Sequence, residues 1–443
     1  MDAHDIKRLD REFHLHSWSA QGAIDPMVFD RGEGACFWDG SGKRYLDFFS
    51  QQVNLNTGHQ HPRVIHAIRE YAEKCCYCAP GFAHESRSRL AEALSRVTPG
   101  DLKRFFFTLS GAESNENAIK IARLSTGRFK ILARYRSYHG ASYGAVSLTG
   151  DPRRPPVEPT LPGIIHVLDP YCYRCSFKLS YPSCGIQCAR HVEEILLYED
   201  PGTVAGLFLE TVTGSNGLFV PPPEYLPMVR EICSRHGVLM ICDEVMSGFG
   251  RTGRWFAVEH WDVVPDIITM AKGLTSGYVP LGAVAVSRKI SDHFQDHVLW
   301  CGLTYNAHPL ACAAGVATLR VYEEERLLER STRLGRLLME ALKELEARHP
   351  CVGDVRGLGL FTLIELVKDK DTREPLVPWN AAGSALALTK EINRRLLAGG
   401  VYTWVRWNWI FVTPPLVITE DELKEGLDVI EGVLSFVDAQ IGR

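Results

Sequence analysis

Six short, continuous apolar runs mark the middle of the chain: RFFFT (104–108), FKILA (129–133), AGLFLE (205–210), GVLMICD (237–243), DIITMA (266–271) and GAVAVS (282–287). Runs of this length without polar alternation suit strands covered on both faces, so they predict a mostly parallel sheet. Helix-like stretches fall between them, 113–125 after the first run and 224–236 before the fourth. Alternation of this kind predicts an α/β fold. From Tyr322 to His349 the pattern changes to a long, charged amphipathic helix that reads as a connection between units. Beyond it, VRGLGLFTLIEL and WIFVTPPLVI read as strands, and 381–397 and 420–437 as helices, which together predict a smaller α+β unit. Near the start, ACFWDGSGKRYLDFF has the turn chemistry of a hairpin around Asp39 to Gly42 and is expected to pack near that unit. The division expected is residues 1–60 as a segment packing with the small domain, 61–320 as the large domain and 321–443 as the C-terminal small domain.

Two of the runs end in charge. Asp243 follows a stretch in which five of six residues are apolar, and Glu244 comes next. An unpaired carboxylate there is costly, so it calls for a permanent cationic partner. Lys272 closes the run DIITMA 29 residues later, and desolvation lowers a lysine's pKa and makes it nucleophilic toward carbonyls. A third element, TLSGAESNENAIKIAR, takes a strand through Ser110, Gly111 and Ala112 straight into a helix, where free backbone N–H groups cradle an anion. Taken singly, each has an ordinary reading as a helix cap or a snorkelling lysine. Taken together, an aspartate, an imine-forming lysine and a phosphate-holding helix end are what pyridoxal 5′-phosphate requires.

Composition changes this picture little. A chain of 443 residues with 45% hydrophobic and 23% charged residues and a formal net charge of −4 has no basic bias toward nucleic acid. The charged start MDAHDIKRLDREF offers no apolar leader, and no stretch is long enough to span a membrane, so a cytoplasmic enzyme is expected. The thirteen cysteines read as reduced thiols. Cys172, Cys175, Cys184 and Cys188 fall close together in a loop and are either unligated thiols or a structural zinc clip.

With those residues in view, the sequence resembles the class III (omega) aminotransferases of pyridoxal-phosphate fold type I. The resemblance runs over nearly the whole chain through WDGSGKRYLDF, NTGHQHP, SGAESNENAIKIAR, YHG (138–140), DEVMSGFGRTG, AKGLTSGYVPLG, GLTYNAHPLACAA and VRGLGL. It implies that Lys272 is the Schiff-base lysine and that Asp243 partners the pyridine nitrogen. Tyr138, followed by His139, stacks on one ring face and Val245 packs on the other. Ser110, Gly111 and Ala112 hold the phosphate, with Thr304 contributed by the neighbouring subunit of a homodimer; dimers pairing into tetramers are a second arrangement. Glu210 matches a glutamate beside the cofactor, although the proline that often follows it is Thr211 here.

The resemblance also bears on substrates, an amine donor and a keto acid. Relatives that use 2-oxoglutarate commonly carry an arginine after the Tyr/Phe-His-Gly motif; here that position is Ala141, which favours a monocarboxylate such as pyruvate. Arg406 lies near the family's mobile, carboxylate-gripping arginine and is either that residue or a fixed structural one. Trp18, Val53 and Phe82 fall where relatives line the pocket. The donors left open are β-alanine, taurine, another omega-amino acid or a hydrophobic primary amine. A 2-oxoglutarate-dependent enzyme, an aminomutase and a decarboxylating transaminase would share the same cofactor residues. A dehydrogenase reading of GFGRTG is disfavoured because the GxGxxG spacing before a helix is absent.

Overall fold

A computed structural model describes residues 1–441. Seven strands form the central sheet: β1 (Arg104–Thr108), β2 (Lys130–Arg134), β3 (Ile164–Val167), β4 (Val204–Glu210), β5 (Leu239–Asp243), β6 (Ile267–Met270) and β7 (Gly282–Val286). Their spatial order is β1-β7-β6-β5-β4-β2-β3. Only β7 runs against its neighbours, pairing antiparallel with both β1 and β6. Every residue of β4, β5 and β7 is buried, as their unbroken apolar runs require when helices cover both faces. The edge strand β3, IIHV, has no counterpart among the expected strands; it is short, half-buried and interrupted by His166.

Two helices follow the pattern closely. Helix α1 (Gly111–Thr126) is capped by Ser110, whose hydroxyl accepts from the Glu113 N–H, and it ends at Gly127 in the left-handed conformation. Helix α2 (Tyr225–His236) ends in the same way at Gly237.

The single long helix expected over 322–349 is instead two. Helix α3 (Pro309–Glu324) stops, Arg326 turns left-handed at φ 52°, and α4 (Leu327–Arg348) begins. Three consecutive glutamates, Glu323 to Glu325, place negative charge where the helix dipole is also negative, which favours ending the helix there.

The C-terminal part is built on a hairpin of Val352–Leu358 and Phe361–Asp369, with Trp409–Val412 beside it. The last strand is shorter than WIFVTPPLVI suggested, because Pro414 and Pro415 cannot continue the ladder. Its helices are Ala387–Ala398 and Glu420–Ile441. The first starts six residues later than expected, after a 3₁₀ turn at Gly383–Leu386. The N-terminal hairpin of Cys36–Asp39 and Arg44–Asp47 joins this end of the chain, since Arg44–Asp47 pairs in parallel with Val401–Tyr402.

A buried arginine from the glycine-rich turn after β5 ties these pieces together. Arg251 donates to the carbonyls of Leu360 and Pro414, to Ser50 Oγ at 3.2 Å and to Asn56 Oδ1 at 2.6 Å. Among the described residues no helix is long and apolar enough to cross a membrane.

Candidate active site

The sheet register brings the strand-end acids together. Glu210 closes β4 directly beside Asp243 at the end of β5, and Asp243 in turn neighbours Thr269 of β6, three residues before Lys272. The YHG segment follows β2, and the N-terminus of α1 follows β1. All of these strands are parallel, so five loops converge at one edge of the sheet, where ligands bind in open α/β folds. They open into a cavity of about 900 Å³ whose lining includes Lys272, Asp243, Glu210, Gly111, Ala112 and Tyr138.

Asp243 is nearly inaccessible, and its carboxylate is held from several sides. One oxygen accepts from Asn115 Nδ2 and lies against His139 Nδ1, each at 2.8 Å; the other accepts the Val245 N–H at 2.9 Å. Glu210 takes the N–H groups of Tyr138 and Gly214 at 3.1 and 2.7 Å, and burial pushes its carboxyl above the usual range. Glu244, next to Asp243 in sequence, faces away from this chemistry. It accepts from Thr211 Oγ1, Ser247 Oγ and the Ala257 and Val258 N–H groups, so one acid of the pair serves the cavity while the other secures the loop that follows.

Lys272 sits at φ 39° in a one-turn 3₁₀ segment. Burial pushes its amine down to about 8, against the opposing attraction of Asp243 and Glu210. A lysine in that range supplies free base near neutral pH, which attack on a carbonyl needs.

At the start of α1, the Gly111 and Ala112 N–H groups find no acceptor among the described residues. They are open to an anion. A Cβ at Gly111 would come within 2.8 Å of Val245 Cγ1, and one at Gly140 (φ 132°) within 2.5 Å of Ala112 Cβ. Both glycines therefore keep this corner of the cavity open and closely packed. Asn115 Oδ1 and His139 Nε2 are buried there without partners among the described residues. A free-base amine, a fixed carboxylate and open helix N–H groups match the aldehyde, the ring nitrogen and the phosphate of pyridoxal phosphate.

The other expected residues divide. Trp18, Ala141, Val245 and Arg406 line the cavity. Ser110 caps the helix rather than lining the cavity. Val53 stands apart from the lining: residues 50–53 all have positive φ, and this turn sends Val53 into the core while Gln52 and Phe49 meet the cavity. Phe82 is 68% exposed, and Thr304, also exposed, accepts from Tyr77 through its carbonyl at 2.9 Å; neither lines the cavity of its own chain. Asn115 and Arg153 were missed. Asn115 was within reach of helical periodicity, four positions after Gly111 on one face of α1. Arg153, in the turn-like TGDPRRP, carried no signal.

The four clustered cysteines border one small cavity of about 20 Å³, but no three of their sulfurs lie within 4.8 Å of one another, as ligands of one ion would. Burial pushes Cys172 up to about 11 and Cys188 up to about 12, so both favour the thiol.

This fold and site define a pyridoxal-phosphate enzyme of fold type I. The chain belongs to the class-III aminotransferases, whose family model matches residues 19–434, and is thus a pyridoxal-phosphate-dependent transaminase. It is 33% identical to the taurine–pyruvate aminotransferase of Bilophila wadsworthia over 100% of this chain and 99% of that protein. It is 38% identical to the uncharacterized aminotransferase YhxA of Bacillus subtilis (strain 168), over 95% of this chain and 94% of the relative. Among solved structures, the taurine:2-oxoglutarate aminotransferase of Bifidobacterium kashiwanohense, in complex with PLP and glutamate, superposes with a TM-score of 0.96 at 42% identity. That match covers 100% of this chain and 99% of the other.

Proposed function

We propose that the enzyme transfers the amino group of an omega-amino acid of the taurine or β-alanine type to an α-keto acid, with pyruvate as the favoured acceptor. The observation that carries the acceptor is Ala141, which lines the cavity where an arginine would otherwise pair a second carboxylate. Arg406 lines the same cavity and is the cation proposed to receive the keto acid's α-carboxylate. A second reading, 2-oxoglutarate as acceptor, is favoured by the presence of Arg153 in the lining.

When bound, pyridoxal phosphate supplies an aldehyde that takes up the amino group and a ring that spreads the electron pair of the donor carbon. With the cofactor bound, Lys272 would serve as the base that takes the proton from that carbon and then as the acid that gives it back. Asp243, oriented by Asn115 and His139, keeps the proton on the ring nitrogen. Gly111 and Ala112 would hold the phosphate through their N–H groups, and Tyr138 and Val245 would flank the ring. Thr304 and Phe82, exposed on their own chain, complete the neighbouring site of a homodimer.

The test is a donor panel of β-alanine, taurine and 1-phenylethylamine, run with pyruvate and with 2-oxoglutarate. Higher kcat/KM with pyruvate is expected; preference for 2-oxoglutarate would overturn the argument from Ala141 and support the second reading. A pH dependence follows from Lys272. Only the unprotonated amine attacks an aldehyde, so covalent capture of pyridoxal phosphate by cofactor-free protein should accelerate with pH through about 8 and then level off. Borohydride trapping at successive pH values measures it. A midpoint near roughly 10.4, that of a solvated lysine, would contradict the buried setting.

A further inference from the structure

Arg153 stands in the cavity wall beside Arg406. Its guanidinium lies 3.6 Å from the centroid of the Tyr138 ring and 5.6 Å from that of Trp18. Nε donates to the two oxygens of Asp151 at 3.1 and 2.9 Å, and Nη2 reaches Asp151 and, at 2.8 Å, Ser215 Oγ. Only Nη1 is without a partner among the described residues. Asp151 is buried, and its Oδ2 also accepts from Asn216 Nδ2 at 3.1 Å and Arg406 Nη2 at 3.3 Å. One carboxylate thus serves two guanidinium groups, and this cluster carries one positive charge in excess.

The two arginines are engaged differently. Arg406 has its shortest contact with the Ser215 carbonyl, at 2.6 Å, and a further one with Asn216 Oδ1 at 3.2 Å. Arg153 is fixed along one edge by Asp151 and across its face by Tyr138, with one N–H corner unused. A guanidinium held in this way loses little side-chain freedom on pairing and presents a planar donor to an oxyanion.

Resting on the transaminase reading with an acid-bearing donor, we infer that Arg153 binds the terminal acid group, carboxylate or sulfonate, of the amine donor. An arginine that only supports Tyr138 would affect donors with and without an acid group alike. One that binds the acid discriminates between them.

The experiment uses the holoenzyme and follows the donor half-reaction by the cofactor's absorbance, with no keto acid present. The donors are taurine, β-alanine and propylamine, which lacks the acid group, tested on wild type, Arg153→Gln and Arg153→Lys. The ratio of kcat/KM for the acid donors to that for propylamine should fall roughly 10- to 100-fold in R153Q, the range for losing a hydrogen bond to a charged group. The loss should lie mainly in the donor's half-saturation, and R153K should recover part of the ratio. A fall confined to taurine assigns the position to sulfonates, one confined to β-alanine assigns it to carboxylates, and equal falls assign it to both. Calorimetric titration with the unreactive acids ethanesulfonate and propionate should show weaker binding to R153Q by about tenfold. An unchanged ratio in an enzyme that turns over the acid donors would overturn the role of Arg153 alone. A wild type that accepts propylamine but neither acid donor would overturn this role and the donor reading together.

Discussion

Lys272→Ala should reduce transamination by roughly four orders of magnitude, the upper range for a positioned acid–base group. The substitution removes the amine proposed both to capture the aldehyde and to move the proton, and it leaves the rest of the cavity in place. Cofactor should still bind, because the α1 N–H groups, Tyr138, Val245 and Asp243 do not depend on the lysine. Borohydride treatment should then attach no cofactor to the protein. The check pairs a kcat measurement on the donor panel with mass spectrometry of the reduced protein; a variant turning over at the wild-type rate would remove Lys272 from the mechanism.

Asp243→Asn is the second large effect, expected at roughly 10²- to 10³-fold in kcat, comparable with removing one preorganised electrostatic group. The carboxylate accepts from Asn115 and Val245 and pairs with His139. An amide keeps a single oxygen acceptor and sets its NH₂ against a donor on the other side. On the proposed mechanism, the negative charge that would hold a proton on the ring nitrogen is lost, and the ring would be a weaker electron sink. Some stability is lost as well, so thermal denaturation should accompany the kinetics. A folded, cofactor-loaded D243N with wild-type kcat would show that the ring nitrogen needs no counter-ion here.

These two residues were readable from sequence because each breaks a rule of burial at the end of an apolar run. Charge beside five apolar neighbours in six invites a chemical explanation, and the strand pattern places the charge at the carboxyl edge of the sheet. Arg153 and Asp151 broke no such rule. In a Pro- and Arg-rich turn both look like solvated surface, and only the folded chain shows the aspartate buried between two arginines. Val53 turns into the core rather than the cavity lining for a different reason, since four successive positive φ values cannot be anticipated from Ser-Gln-Gln-Val. The break at Arg326 was latent in Glu323 to Glu325, but amphipathic periodicity carries across such a break because both helices bury leucines.

Arg251 constrains how this molecule can be dissected. Its guanidinium joins the loop behind Asp243 to Ser50 and Asn56 on one side and to Leu360 and Pro414 on the other. Trimming the first sixty residues would strand a buried cation without two of its acceptors, and cutting away the last ninety would strand it without the others. The segments around residues 50–56 and 360–414 are therefore fastened to the loop behind Asp243, and a truncation that removes either should cost stability.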